Sequence, residues 1–365
     1  MTQIDIPLSW TRRGLVLPRP DSGVGSHVMG DPCIVWDDTI PGWRMGLFAA
    51  PPGHGQAICR TADDVVPGCW EFIGPLTFTN PGDLLGGSTH KPFVVMEASS
   101  PNRAARIDGR YCLVTVSFVS GHKLVQQAWA EQLAGPWTAE PRPLIDLGDE
   151  ASFDAKHVDA VSGYYFPERG ELLYFYMGYP QQPQARAISP FGSAQGVAVQ
   201  HVGQKQARKL GVILQPCQER GHWASGWVGG LQLLPGRRHR WVGIINASPT
   251  ALDPSDRAES REEPPPSLGG FAVCDEQFPV SGWCWQPQPI EWTNVIPADA
   301  IATGEGVNFW RQHILVLPDD RLALFYNSGP YGREQMYLKV APSAWRIRTG
   351  EVSDGIRVCA GWDFA

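Results

Sequence analysis

Three acidic residues stand where β-rich runs begin, and carboxyl groups in such places can do acid–base work. Asp31 precedes a proline in Gly30-Asp31-Pro32-Cys33-Ile34, and Asp159 follows a histidine in His157-Val158-Asp159-Ala160. Glu305 lies between glycines in Thr303-Gly304-Glu305-Gly306-Val307-Asn308, which allow the backbone close approach to a ligand. Cleavage of a glycosidic bond is one reaction that needs such groups. One carboxyl must be protonated to release the leaving oxygen, and another ionised to attack the sugar or activate water. Each residue also has a plainer reading. Asp31 can cap a turn, Asp159 can be a buried residue bonded to nearby backbone, and Glu305 begins further from its turn than Asp159 does from its own. Glu219, in Gln218-Glu219-Arg220-Gly221, is a second candidate acid; its plainer reading is a surface ion pair with Arg220.

Polar and aromatic residues occupy comparable positions elsewhere: His90-Lys91, His157 beside Asp159, Trp227, and Asn308 with Trp310 and Arg311. A centre lined by His, Lys and Arg suits an anionic substrate such as a uronate, a sugar phosphate or inorganic phosphate. Trp36, Trp223, Trp227 and Trp310 could stack on a sugar ring, although most tryptophans must serve the core. His90, His157 and Asp31 lack the spacing typical of metal ligands, so neither a metal nor another cofactor is expected.

The elements that must position these residues form a repeat. A β-rich run, a tight turn and a second β-rich run recur five times, with turn markers about 66, 60, 68 and 83 residues apart, a period of radial blades. Asp31–Trp36 turns at Pro41-Gly42 into Arg44–Ala50, and Asp159–Phe166 turns at Pro167–Gly170 into Leu172–Gly178. The other pairs are Lys91–Met96 with Arg110–Phe118, Trp227–Leu234 with Arg240–Asn246, and Val307–Leu317 with Arg321–Asn327. Further strand-like runs complete each unit. The expectation is an all-β, five-bladed β-propeller of four-stranded antiparallel blades around a central funnel, spanning residues 1–365 as one domain. The blades are expected at roughly 27–80, 88–145, 155–216, 222–292 and 303–348, with a polar, proline-rich surface insertion at 253–267. Outer-strand aromatics (Trp70, Trp137, Trp283 or Trp285, Trp345) are expected to wedge between blades. Residues 14–17 and 355–360 are the candidates for closing the ring.

Composition agrees with this class. Of 365 residues, 40 are Gly and 33 Pro, spread along the chain as many short strands and turns require, and a hydrophobic content of 43% can build a core. The net charge of −7 and the absence of a Lys/Arg stripe argue against a nucleic-acid partner. No run reaches a membrane span, and no basic stretch leads into an unbroken apolar one at the N-terminus. Eight cysteines without CxxC spacing suggest reduced thiols, hence a cytoplasmic location.

Several phrases resemble a known group. Gly30-Asp31-Pro32-x-Ile34 with Trp70-Glu71-Phe72-Ile73-Gly74-Pro75, then Ala134-Gly135-Pro136-Trp137-Thr138, Ser189-Pro190-Phe191-Gly192-Ser193, and Tyr326-Asn327-Ser328-Gly329 followed by Arg333-Glu334-Gln335-Met336-Tyr337-Leu338, are similar to successive blades of the five-bladed glycoside hydrolases. These include the arabinanase/xylosidase group (family 43), the invertase/levanase group (family 32) and the mannoside phosphorylases (family 130). The resemblance covers nearly the whole chain, and the order of the phrases is more specific than any one of them. It implies that Asp31 is the general base of an inverting enzyme or the nucleophile of a retaining one, and that Asp159 orients and tunes the acid. The acid in the relatives is usually a glutamate opening an inner strand. Counting from Pro235-Gly236 puts Trp227 near that place, within Ser225-Gly226-Trp227-Val228-Gly229-Gly230, where no carboxylate stands.

The resulting expectation is a glycosidase-like enzyme acting on a small-molecule or oligosaccharide substrate, with Glu305 as its acid. The alternatives are a glycoside phosphorylase holding phosphate on His90, Lys91 or Arg311, and a degenerate propeller that binds a carbohydrate or biosynthetic intermediate without hydrolysis or performs other chemistry in the same funnel.

Overall fold

The computed structural model describes residues 6–181, 192–219, 221–249, 267–290, 309–330, 332–342 and 344. It is all-β, and its antiparallel sheets form the five blades of a propeller. Blade one contains Val28–Asp37, Gly42–Ala50, Gly55–Cys59 and Trp70–Gly74 from the axis outward. Blade two runs from His90–Val94 through Arg110–Val119 and His122–Ala130 to Thr138–Ile145. Blade three is His157–Phe166, Glu171–Tyr179, Ala194–His201 and Arg208–Leu214, with the short Met96–Glu97 added in parallel to its inner strand. Blade four is Trp227–Pro235, Trp241–Ser248, Leu268–Cys274 and Cys284–Pro289. The inner strands of blades one, three and four are buried along nearly their whole length. Both faces of a blade pack on neighbours, so these strands read as continuous apolar runs rather than alternating ones.

Blade five draws on both ends of the chain. Trp310–Val316, Leu322–Ser328 and Gln335–Val340 supply three strands, and the N-terminal Thr11–Leu17 pairs antiparallel with Gln335–Val340 to make the fourth. Residues 14–17 therefore take part in closing the ring, and residues 355–360 lie outside the described residues. Val16 and Leu17 are buried in one cluster with Met29 and Ile34 of blade one and Leu315 and Phe325 of blade five. Burying these two side chains alone contributes about 1.5–3 kcal/mol each. Deleting residues 1–17 also leaves the edge of Gln335–Val340 unpaired. The truncated chain is expected to melt several degrees lower and to aggregate; a wild-type melting temperature and a monomeric elution profile would refute this closure.

Aromatic wedges join the blades. Trp70 meets Phe325 of blade five edge to face at 5.6 Å, and Trp283 meets Phe175 of blade three at 6.4 Å. Trp137 is fully buried, and Trp345 lies outside the described residues. Of the expected surface insertion only Ser267 is described, and it is buried, donating from Oγ to the Phe309 carbonyl at 2.8 Å. No described helix is long and apolar enough to cross a membrane.

The feature that positions the site recurs in all five inner strands. Each has a register break near its start, between Gly30 and Cys33, His90 and Phe93, Asp159 and Ser162, Gly229 and Gln232, and Trp310 and Gln312. A bulge bends the strand and re-aims a side chain. In four of the five a residue at the break has positive φ: Asp31 at 50°, Lys91 at 51°, Ala160 at 48° and Gly230 at 75°. For the non-glycine residues this backbone costs on the order of 1–3 kcal/mol each, a strain that collects at functional sites.

Candidate active site

These bulges surround a cavity of about 970 Å³ to which every blade contributes wall residues. Asp31, His90, Lys91, His157, Asp159, Trp227 and Arg311 all line it, so the inner-strand residues singled out in the sequence converge there. Glu305 and Asn308 lie outside the described residues. Glu219 is exposed and stands apart from the wall. Trp36 and Trp223 are also absent from the wall; Trp223 is buried, donating from Nε1 to the Gln286 carbonyl.

Asp31 is held by a clasp from blade five. Its backbone N–H donates to Asn327 Oδ1 at 2.7 Å, and Asn327 Nδ2 donates back to Asp31 Oδ1 at 2.5 Å. Gly30 makes room for this clasp, since a Cβ there would stand 2.5 Å from the Asn327 side chain.

Asp159, 1% exposed, lies between two ammonium groups. Lys91 Nζ donates to its oxygens at 3.0 and 3.1 Å, and Lys123 Nζ donates to Oδ2 at 2.5 Å. Burial alone would raise its pKa, but the two lysine charges and their hydrogen bonds prevail and hold it far below the usual carboxylate range. Asp159 is thus held as an anion at neutral pH and is unsuited to act as the proton donor. Lys91 also approaches Asp31 Oδ2 at 3.8 Å. Since one ammonium reaches both, the two carboxylates are no more than about 7 Å apart, within the range of glycoside-cleaving pairs. Burial opposes the Lys91 charge, but Asp159 and Asp31 outweigh it and raise its pKa. For Lys123 burial prevails, with Lys91 adding to it, and the pKa falls.

The cavity holds a further carboxyl group that inner-strand reasoning missed. Glu334, 7% exposed, precedes the third strand of blade five and lines the wall with Asp31 and Asn327. Its carbonyl accepts the Met29 N–H at 3.1 Å, tying it to blade one. Burial pushes its pKa up and the nearby Asp31 charge pushes the same way, against backbone hydrogen bonds and Lys91. A carboxyl group raised in this way keeps its proton to higher pH than an ordinary glutamate. Glu334 stands in the Arg333-Glu334-Gln335-Met336 phrase, but its distance from any inner strand hid its role. Lys123 and Asn327 were missed for the same reason.

His90 and His157 bind a proton less tightly than a free histidine. Burial, then Lys91, lowers the pKa of His90, and burial with Lys123 and Lys156 brings His157 down to about 4. Trp227 and Trp310, both on the wall, stack on each other with centroids 5.7 Å apart and planes within 15°. By register the blade-four counterpart of Asp31 is Gly230, which holds the positive-φ position of the bulge. Among the described wall residues blade four supplies Trp227, Gly229, Gly230 and Asn246, and no carboxylate. Among the described residues no group of three or more His, Cys, Asp or Glu side chains could hold a metal ion.

Similarity to solved structures agrees with this architecture. A structure described as a glycoside hydrolase superposes with a TM-score of 0.66 at 14% identity, covering 95% of this chain and 94% of its own. An endo-arabinase from Bacteroides thetaiotaomicron gives 0.56 at 12% identity, covering 90% and 98%. The chain has the fold of the five-bladed glycosidase propellers. A structure reported for the GH130 family of mannoside phosphorylases, which contains glycoside hydrolases that target β-1,2 mannosidic linkages in Candida mannan, gives 0.58 at 12% identity, covering 94% and 97%. No family model and no curated protein sequence matches the chain.

Proposed function

We propose that this propeller is a glycosidase-like enzyme that cleaves a glycosidic bond of a carbohydrate substrate, with Glu334 as proton donor and Asp31 as the carboxylate that attacks the sugar or activates water. One observation carries the reading: Asp31 and Glu334 share a cavity wall, and burial with the Asp31 charge raises the pKa of Glu334. A buried carboxyl group of raised proton affinity beside a second carboxylate is a candidate general acid. In this reading Asp159 acts through Lys91, the ammonium that reaches both aspartates, and Trp227 and Trp310 offer a face for a sugar ring. Glu334 takes the acid role that the sequence suggested for Glu305. The free state of the seven described cysteines supports a reducing, cytoplasmic location.

Phosphorolysis is the second reading, supported by Lys91, His90 and Arg311 on the wall. It differs from hydrolysis only in the acceptor, and the same assay separates the two. A panel of nitrophenyl glycosides is incubated with and without inorganic phosphate, and products are resolved as free sugar or sugar 1-phosphate. Hydrolysis gives free sugar at a rate indifferent to phosphate. Unchanged turnover in Asp31→Asn would remove Asp31 from the mechanism, and no turnover on any glycoside would favour a binding protein.

A further inference from the structure

The charge on the cavity wall runs opposite to that of the chain. The chain carries −7, yet Lys91, Lys123, Lys156 and Arg311 line the cavity against Asp31, Asp159 and Glu334. With Glu334 protonated, as its proposed role requires, cations outnumber anions by two among the described wall residues. Their pairing leaves donors over. Arg311, 8% exposed, donates through Nη2 to the Val161 carbonyl at 2.6 Å, its Nη1 has no hydrogen-bond partner, and among the described residues it makes no ion pair. Lys123 gives one hydrogen bond to Asp159. A lysine ammonium has three N–H donors, and 31% of the Lys123 side-chain surface stays accessible, so two donors remain for whatever fills the cavity. Lys156 is exposed beside it, and the Tyr179 ring lies 5.8 Å from Lys123 Nζ.

Low-dielectric walls focus such an excess of one sign and concentrate ligands of the other. A cavity of about 970 Å³ is far larger than a free inorganic anion needs and lies in the size range of organic ligands. We infer that the substrate is a sugar bearing a carboxylate, a uronide, whose anionic group is received by Lys123 and Lys156 with Arg311 contributing its field. Asp159 is then a positioning residue that holds Lys91 and Lys123 in place from below.

This inference rests on the reading that a sugar occupies the cavity, and a binding experiment tests it apart from catalysis. Isothermal titration of the full chain with glucuronate and galacturonate is compared with glucose, galactose and inorganic phosphate. The uronates are expected to bind at least about tenfold more tightly than the neutral sugars, less so as salt rises. Lys123→Met is expected to abolish the difference and Lys123→Arg to restore part of it, with thermal melts confirming that both variants fold. Glu334→Gln is expected to keep uronate binding while losing glycoside turnover, so failure of the catalytic reading and failure of this one are told apart. Equal affinity for neutral sugars, undiminished uronate binding by folded Lys123→Met, or binding of inorganic phosphate alone would each overturn the inference.

Discussion

Glu334→Gln is expected to lower turnover of a glycoside with a poor leaving group by about 10²–10⁴-fold, the usual contribution of a positioned acid. Glutamine keeps the shape of the side chain and removes the transferable proton. Nitrophenyl substrates, whose leaving groups need little protonation, are expected to lose much less. The pH profile supplies an independent check. Burial and the Asp31 charge raise the pKa of Glu334, so its protonated, active form persists to higher pH than an ordinary glutamate would allow. Wild-type activity should therefore fall on the alkaline side as Glu334 loses its proton, and that limb should vanish in Glu334→Gln. A variant with wild-type turnover on a poor leaving group and an unchanged alkaline limb would exclude Glu334 as the acid.

The second large effect concerns stability. Asp159→Asn removes the anion that both Lys91 and Lys123 contact. Two mostly buried ammonium groups then lose the carboxylate they share, leaving, among the described residues, only Asp31 at 3.8 Å from Lys91, and breaking a buried pair from one side costs about 3–5 kcal/mol. The loss should appear as a lower urea midpoint at neutral pH. The wild type should also show an acid dependence that the variant lacks. The folded-state pKa of Asp159 is held far below its unfolded value by the two lysines, against the opposing effect of burial. The stabilisation is thus complete above the unfolded pKa of about 3.9 and drains away as pH falls below it. Urea midpoints between pH 5 and pH 2 measure this. If the variant and the wild type lose stability in parallel over that window, Asp159 is not the group responsible.

The fold and half of the site were legible because their signals are local. Hairpins with Pro/Gly turns announce blades wherever they occur, and Asp31, His90, Lys91, His157 and Asp159 sit at or just before the bulges of inner strands, so the repeat points to them directly. Counting from a turn gives only an approximate place along a bulged strand, and the register shows that the blade-four counterpart of Asp31 is Gly230. Asn327 and Lys123 belong to a second and a third strand, and Glu334 stands just before a third strand; nothing in their own segments marks them as facing the axis.

The amino-acid sequence by itself determined five blades, a funnel and the aspartates that enter it from blades one and three. Only the tertiary structure decided which groups meet those aspartates. Lys123 reaches Asp159 across 36 positions and Asn327 reaches Asp31 across 296. The first arises from the packing of successive blades and the second from the closure of the ring, which brings blade five against blade one and sets Glu334, buried, beside Asp31. Patterns of hydrophobicity and turns govern neighbours along the chain, whereas charge and burial act through space.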